Sequence, residues 1–383
     1  RTGRRAGVRA PEKRFLINAH AETRCPERGL HGKEVMSKTK GVGILGFAHG
    51  HVQSYADVWR ERPELGVRLV AGWDHDITRA TSACERYQMT RTESVEDLLR
   101  RADIDTVVVA CETSLHADLV CRAAAAGKTV ILQKPMALTC ADADRIVAAV
   151  AKSRVPFTLA WQMRVDPHNL QMKALLESKR FGKVYMIRRR HCLSTQLWRD
   201  FEKTWHVDPA YNRDIFADDA AHPADFLLWL LGMPHSVMAE MGTLLNPKIP
   251  NDNGIAIFRY ADGTFAEISC TFAAVAGENT AEIVCEHGTI IANYGDVVSC
   301  MNPRPPGGIQ LKWYHRDDGC WTLSDLPDIV NQSVRIRGLA EPLADFLHGR
   351  RPPIATAEEG RQALKMILAC YESAALGKRI LFD

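Results

Sequence analysis

The sequence contains no apolar run near the roughly 20 residues that a membrane-crossing helix needs. Its richest stretch, FLLWLLG at 226–232, is far too short, so no membrane partner is expected. Eleven cysteines are present but no CxxC pair. That scatter excludes the usual zinc and dithiol motifs and fits reduced, mostly buried thiols in a cytoplasmic protein. A basic patch is missing as well. The net charge of +3 arises in residues 1–35, where nine Lys/Arg face four Glu, and the remainder carries −2. A nucleic-acid partner is therefore not expected. Internal repeats and low-complexity linkers are also absent.

What remains is ordinary globular sequence. With 383 residues, 46% of them apolar and 25% charged, the chain can bury two cores. Residues 1–39 read as a tail, disordered or translated from upstream of Met36. An export signal would need a longer apolar core than FLINA behind Arg4-Arg5.

From residue 40 to about 160, β-rich runs at 41–47, 67–73, 105–111, 129–133 and 156–161 alternate with segments of helical apolar spacing. Such alternation predicts an α/β Rossmann domain, a doubly wound parallel sheet that binds ligands at the carboxyl ends of its strands. From 161 to 383 the rhythm changes. Long strands at 183–193, 254–274 and 281–295, the last two folded at Asp262-Gly263 and His287-Gly288, predict an α+β domain with a large, mostly antiparallel sheet. A closing helix places Leu364, Ile367, Leu368 and Tyr371 on one face and ends at Gly377.

The turn after the first strand reads Gly46-Phe47-Ala48-His49-Gly50-His51. A dinucleotide turn uses its first glycine for the bend, its second for close approach to the pyrophosphate and its third for helix–strand packing. Here the first is kept, alanine takes the second place, and the third is shifted by one. Asp74 ends the second strand 28 positions after Gly46. An acid there is placed for the ribose hydroxyls and favours NAD; Arg79 nearby leaves NADP open. His49 and His51 as metal ligands lack a third partner, and no metal is expected.

Residues 107–149 carry two further motifs. The turn Ala110-Cys111-Glu112-Thr113-Ser114-Leu115-His116 stands in place of A-T-P-T-x-x-H, and Gln133-Lys134-Pro135 in place of E-K-P. With DDAAHPADFLLWLLG (218–232) and HGRRPPIATAEEGRQAL (348–364), four motifs in order resemble the glucose–fructose oxidoreductase / inositol dehydrogenase / MocA family. The likeness runs from about residue 40 to the end. It implies an NAD(P)-dependent oxidoreductase that moves a hydride between a nicotinamide and a carbinol or carbonyl of a sugar, cyclitol or related polyol. It also implies a homo-oligomer, dimer or tetramer. By the same resemblance Lys134, Asp218 and His222 are catalytic. The cofactor residues are Gly46, Phe47, Ala48, His49, Gly50, His51, Asp74, Thr113, Ser114, His116, Gln133, Lys134 and Pro135. Three positions depart from the pattern: Gln133 replaces the ribose-touching glutamate, Glu112 replaces proline beside the pyrophosphate region, and NRDIFA replaces a glycine pair.

Chemistry gives the same residues roles of their own. A neutral imidazole at His222 suits proton removal near pH 7, and Lys134 at a strand's carboxyl end can stabilise alkoxide character. Asp218, His222 and Asp225 share one helix face if the helix runs through them, although Pro223 restricts it to a first turn. Gln162 and Arg164, after the fifth strand, are expected on the substrate side with Asp225. Trp198, Trp205 and His206 are candidates for a substrate-side wall. Two alternatives stay open at this point: a glycosidase that oxidises its substrate transiently with NAD, and a nucleotide sensor without catalysis.

Overall fold

The computed structural model describes residues 39–294 and 307–382. Of the tail expected at 1–39, residues 1–38 lie outside the described residues, as do Cys25 and Cys300. Six parallel strands form the first sheet: β1 (Lys40–Leu45), β2 (Val67–Trp73), β3 (Thr90–Arg91), β4 (Thr106–Val109), β5 (Thr129–Leu132) and β6 (Phe157–Leu159). Their spatial order is β3-β2-β1-β4-β5-β6, the doubly wound Rossmann order. Helices cover both faces, so the central strands are apolar throughout: Ile44, Leu45, Val107, Val108, Val109 and Ile131 are wholly buried. The order reverses between β1 and β4, which opens a crevice beyond their carboxyl ends.

The second sheet has nine strands: β7 (Val184–Cys192), β8 (Ser236–Gly242), β9 (Asn253–Arg259), β10 (Phe265–Thr271), β11 (Thr280–Cys285), β12 (Gly288–Asn293), β13 (Leu311–His315), β14 (Trp321–Leu323) and β15 (Ile380–Leu381). Its order is β14-β13-β12-β11-β7-β10-β9-β8-β15, and only β7 and β10 pair in parallel. Strand alternation turns Ile187, Ala256, Phe258, Ala266, Ile268 and Ile283 inward, where the helix Ala221–Leu231 packs on them. The opposite face leaves Met186, Ile255, Ile257 and Phe265 exposed.

The closing segment, read from sequence as part of the second domain, serves both cores. Leu339, Leu343, Ala344 and Ala355 pack with the Rossmann strands, and Trp59 Nε1 donates to Ala340 O at 2.8 Å. The last long helix, Ala357–Leu376, gives Leu364 to the first core and Met366, Ile367 and Cys370 to the second. It starts in a capping box between Thr356 and Glu359, and it stops at Gly377 in the left-handed region. Burial here follows the helix's stripe of apolar residues, which is wide enough to face two sheets.

Candidate active site

The crevice beyond β1 and β4 opens into a cleft of about 390 Å³ between the two sheets. Gly46 makes the first turn: its φ is +86°, and a Cβ there would lie 2.4 Å from Cys111 Cβ, so both backbone conformation and space require glycine. Phe47 sends its ring into the core, and Ala48 and His49 follow. The helix His51–Glu61 then begins with Gly50 as its N-cap, its positive end toward the crevice.

Lys134, at the end of β5, meets two adjacent carboxylates. Its Nζ lies 3.1 Å from Asp218 Oδ1 and 3.6 Å from Asp219 Oδ1. His206 Nδ1 sits 2.8 Å from the other oxygen of Asp218. His222 Nε2 is 3.6 Å from Asp219 Oδ1 and 3.4 Å from Gln162 Nε2, and His191 Nε2 is 3.7 Å from Asp219 Oδ2. These groups meet because the expected helix is two. Ile215–Asp219 is a short helix capped by Asp214, whose carboxylate accepts from Ala217 N, Asn251 and the hydroxyl of Tyr371. The helix Ala221–Leu231 then restarts, with His222 and Pro223 in its first turn, where a missing N–H costs nothing.

Charge and burial divide the roles. Burial alone would raise the carboxyl of Asp218, but Lys134 and His206 outweigh it and hold it well below the usual range. Asp219 is likewise held low against its burial by Lys134 and His191. Burial works to discharge Lys134; Asp218 and Asp219 overcome it and keep its ammonium protonated above the ordinary value. His222 is pushed well below its ordinary value by burial and then by Lys134. His51 falls to about 3 for the same two reasons. The cleft therefore pairs a charged lysine with the neutral imidazoles of His51 and His222, an acid and a base separated by environment.

Several expected residues reach this cleft and several do not. Lys134, Asp218, His222, Gln162, His49, Gly50 and His51 line it, as do Trp198 and His206 from the loop before Asp214. Thr113 and Gln133 are buried at the ends of β4 and β5, and the amide of Gln133 donates to the Tyr55 hydroxyl at 2.8 Å. His116 instead clamps two turns, its ring nitrogens facing Pro135 O at 2.9 Å and Cys111 O at 3.3 Å. Ser114 N donates to Tyr211 O at 3.0 Å. Arg164 and Asp225, expected on the substrate side, are turned away from the cleft. They form a buried two-point ion pair, with distances of 3.0 and 2.8 Å, and Arg164 also binds Glu359. An unpaired charge at those depths would cost several kcal/mol, so packing couples them to each other.

Asp74 ends β2 as expected, yet its carboxylate is full. It accepts from Phe47 N (2.7 Å), Asp76 N (2.9 Å), Arg79 Nε (2.7 Å) and Arg79 Nη2 (2.7 Å), the four lone-pair sites a carboxylate has. No oxygen is left over for a ribose. Asp219, His191 and the bond from His206 to Asp218 were not anticipated. One signal existed: alternation along β7 puts His191 on the same inward face as Ile187 and Arg189.

The cleft suits a dinucleotide. Both ring nitrogens of His49, Thr113 Oγ1, Gln133 Oε1 and Gln162 Oε1 are buried without a hydrogen-bond partner. Each such group costs about 1–3 kcal/mol unless a ligand bonds it. They lie along the strand ends where a Rossmann fold places a nucleotide. Among the described residues, no three His, Cys, Asp or Glu side chains converge as a metal site, and no helix is long and apolar enough to cross a membrane.

Two family descriptions match this chain: "Oxidoreductase family, NAD-binding Rossmann fold" over residues 40–160 and "GFO/IDH/MocA C-terminal domain" over 169–291. Inositol 2-dehydrogenase of Gluconacetobacter diazotrophicus is 28% identical over 200 residues, 50% of this chain and 55% of that protein. Inositol 2-dehydrogenase 2 of Paenarthrobacter aurescens is 29% identical over 237 residues, 58% and 67% of the two chains. The chain thus spans about half to two thirds of the curated relatives it matches. Levoglucosan dehydrogenase in complex with NADH and levoglucosan superposes with a TM-score of 0.78 at 18% identity, over 89% of this chain and 99% of that one. The WlbA dehydrogenase from Bordetella pertussis, in complex with NADH and UDP-GlcNAcA, gives 0.74 at 24% identity, over 90% and 99%. At those identities the two structures establish a shared fold.

Proposed function

The chain belongs to the Gfo/Idh/MocA oxidoreductase family, with its NAD-binding Rossmann fold, and from that premise we propose that it is an NAD-dependent dehydrogenase or reductase of a sugar, cyclitol or related polyol. One observation carries the reading: a charged lysine and a neutral histidine share a cleft at the carboxyl end of a doubly wound sheet.

The chemistry that a bound nicotinamide would supply here is hydride exchange with a carbinol or carbonyl carbon. His49, Thr113, Gln133 and Gln162 are the side chains with free polar atoms to hold the dinucleotide. Lys134 donates a hydrogen bond to the reacting oxygen and stabilises alkoxide character there. Asp218 and His206 fix the direction of its ammonium. His222 takes the hydroxyl proton in the oxidative direction and gives it back in reduction. Leu193, Trp198, Phe201 and Ile215 give the substrate an apolar wall, suited to the C–H faces of a ring.

The exposed apolar residues Ile255, Ile257, Phe265 and Met186 support a homo-oligomer closed across the open face of the large sheet. No disulfide joins the described cysteines to one another, which supports a reducing compartment such as the cytoplasm. The test is a screen of polyols and ketosugars for a change in nicotinamide absorbance, with NAD and NADP in parallel. Absorbance change with a cyclitol or sugar is expected; none across the panel, in either direction, would remove the proposal.

A further inference from the structure

A second group of charges lies at the carboxyl ends of β2 and β4, outside the proton-handling residues. Arg79 grips Asp74 with Nε and Nη2, and the same Nη2 reaches Glu112 Oε1 at 2.7 Å. The other oxygen of Glu112 lies 2.9 Å from His75 Nε2, and the Tyr211 ring stacks on His75 with centroids 5.9 Å apart. The carboxylates of Asp74 and Glu112 are almost fully buried, while Arg79 is 26% exposed. Two acids thus share one guanidinium, which stays charged at any working pH. Asp74 and Arg79 alone would be a neutral pair. Glu112 is the excess charge, and it stands where the family pattern has a proline with no charge at all.

Rossmann sheets place the adenosine ribose of a dinucleotide beyond the end of β2. An arginine in that region is the usual way to receive a 2′-phosphate. Arg79 stands at the right end of the sheet, but two carboxylates hold its Nε and Nη2 and crowd the approach with negative charge. Building on the oxidoreductase reading, we infer that Glu112 is the residue that excludes a 2′-phosphorylated dinucleotide, by pinning Arg79 Nη2 beside Asp74 and setting a second buried carboxylate against the phosphate. Preference for NAD then rests on the turn after β4. Asp74, with its oxygens filled, shapes the Gly46 turn through Phe47 N.

The test is a titration of the full chain with NADH and with NADPH, followed by nicotinamide fluorescence. Its variants are Glu112→Gln, which removes the charge, Glu112→Pro, which removes charge and hydrogen bond, and the double variant Glu112→Gln/Arg79→Met. The unaltered chain binds NADH more tightly than NADPH. Either Glu112 variant gains about 10-fold or more in NADPH affinity, the scale of one charge-assisted phosphate contact, and shifts NADH by less than about 3-fold. In the double variant the gain is lost, which identifies Arg79 as the group released. An unaltered chain with equal affinity for both dinucleotides, or an unchanged ratio in both Glu112 variants, overturns the inference and leaves the oxidoreductase reading in place. If the unaltered chain binds neither dinucleotide, both fall.

Discussion

Lys134 and Asp218 stand 84 positions apart in sequence and 3.1 Å apart in space, one at the end of a parallel strand and the other in a short helix beside the antiparallel sheet. Their contact joins the two halves of the cleft, and it governs how variants of either residue behave.

If Lys134 stabilises the reacting oxygen as proposed, replacing it by alanine should lower turnover about 10²–10³-fold. It also leaves Asp218 and Asp219 buried without their cation, a loss on the order of 3–5 kcal/mol in stability. Adding Asp219→Asn should restore part of the melting temperature and none of the turnover. Near-normal turnover in Lys134→Ala would take the lysine out of the mechanism.

His222→Ala should cost about 10²–10⁴-fold in rate with little change in NADH affinity. The double variant with Lys134→Ala should lose less than the product of the single losses, since in the proposed mechanism the two act on one oxygen and its proton. Single-turnover rates beside a fluorescence titration separate these outcomes. A His222→Ala enzyme at full speed would require another base.

Stability should fall on acidification below about pH 6.5. His49, His51 and His222 are held neutral in the fold by burial and, in varying order, by Lys134 and neighbouring imidazoles. In the unfolded chain they protonate near the reference value of about 6.5, so the unfolded state binds more protons as the pH drops. For His51, neutral down to about 3, the loss by pH 5 is about 2 kcal/mol. A His51→Asn variant should flatten the dependence of melting temperature between pH 7 and 5. A slope equal to that of the unaltered chain would refute it.

Arg164→Met should destabilise by about 3–5 kcal/mol, because Asp225 is left charged and wholly buried. The double variant Arg164→Met/Asp225→Leu should recover most of that loss. Once folded, it should keep its substrate KM, because neither residue faces the cleft. A KM that rises severalfold in the double variant would return the pair to the substrate side.

The open face of the large sheet gives the last prediction. Ile257→Glu puts a charge among Met238, Glu267 and the exposed Ile255, and it should weaken self-association about 100-fold or more. Light scattering at micromolar concentration should then report a monomer, against an oligomer for the unaltered chain. Identical masses would move the interface elsewhere.

The parallel sheet was legible because its central strands are buried on both faces and so read as unbroken apolar runs. The two-residue β3 is too short to show any period, and β8, β13 and β14 lie in mixed sequence that does not alternate cleanly. That Lys134, Asp218 and His222 line one cleft could be read because motif order and local spacing mark them. The place of Asp219 there could not. Beside Asp218 it resembles one more helix-end charge, and only the break at Ala220 turns both carboxylates to the same lysine. The pairing of Arg164 with Asp225 joins residues 61 positions apart, and no short-range pattern distinguishes a buried ion pair from two polar residues beside a substrate. The fate of Asp74 was hidden for a similar reason: its position fits a ribose, and only the side chain of Arg79 shows the oxygens already filled.

That same bolt of Arg164, Asp225 and Glu359 ties the turn at 162–164, the helix of His222 and the last long helix together. Gln162 and His222 are therefore mounted on a fixed frame. The apolar wall of Leu193, Trp198, Phe201 and Ile215 hangs on different segments, mostly the loop before Asp214. Selection can recut that wall residue by residue while the frame keeps its alignment. A chain built this way can exchange the molecule it accepts far more readily than the reaction it performs.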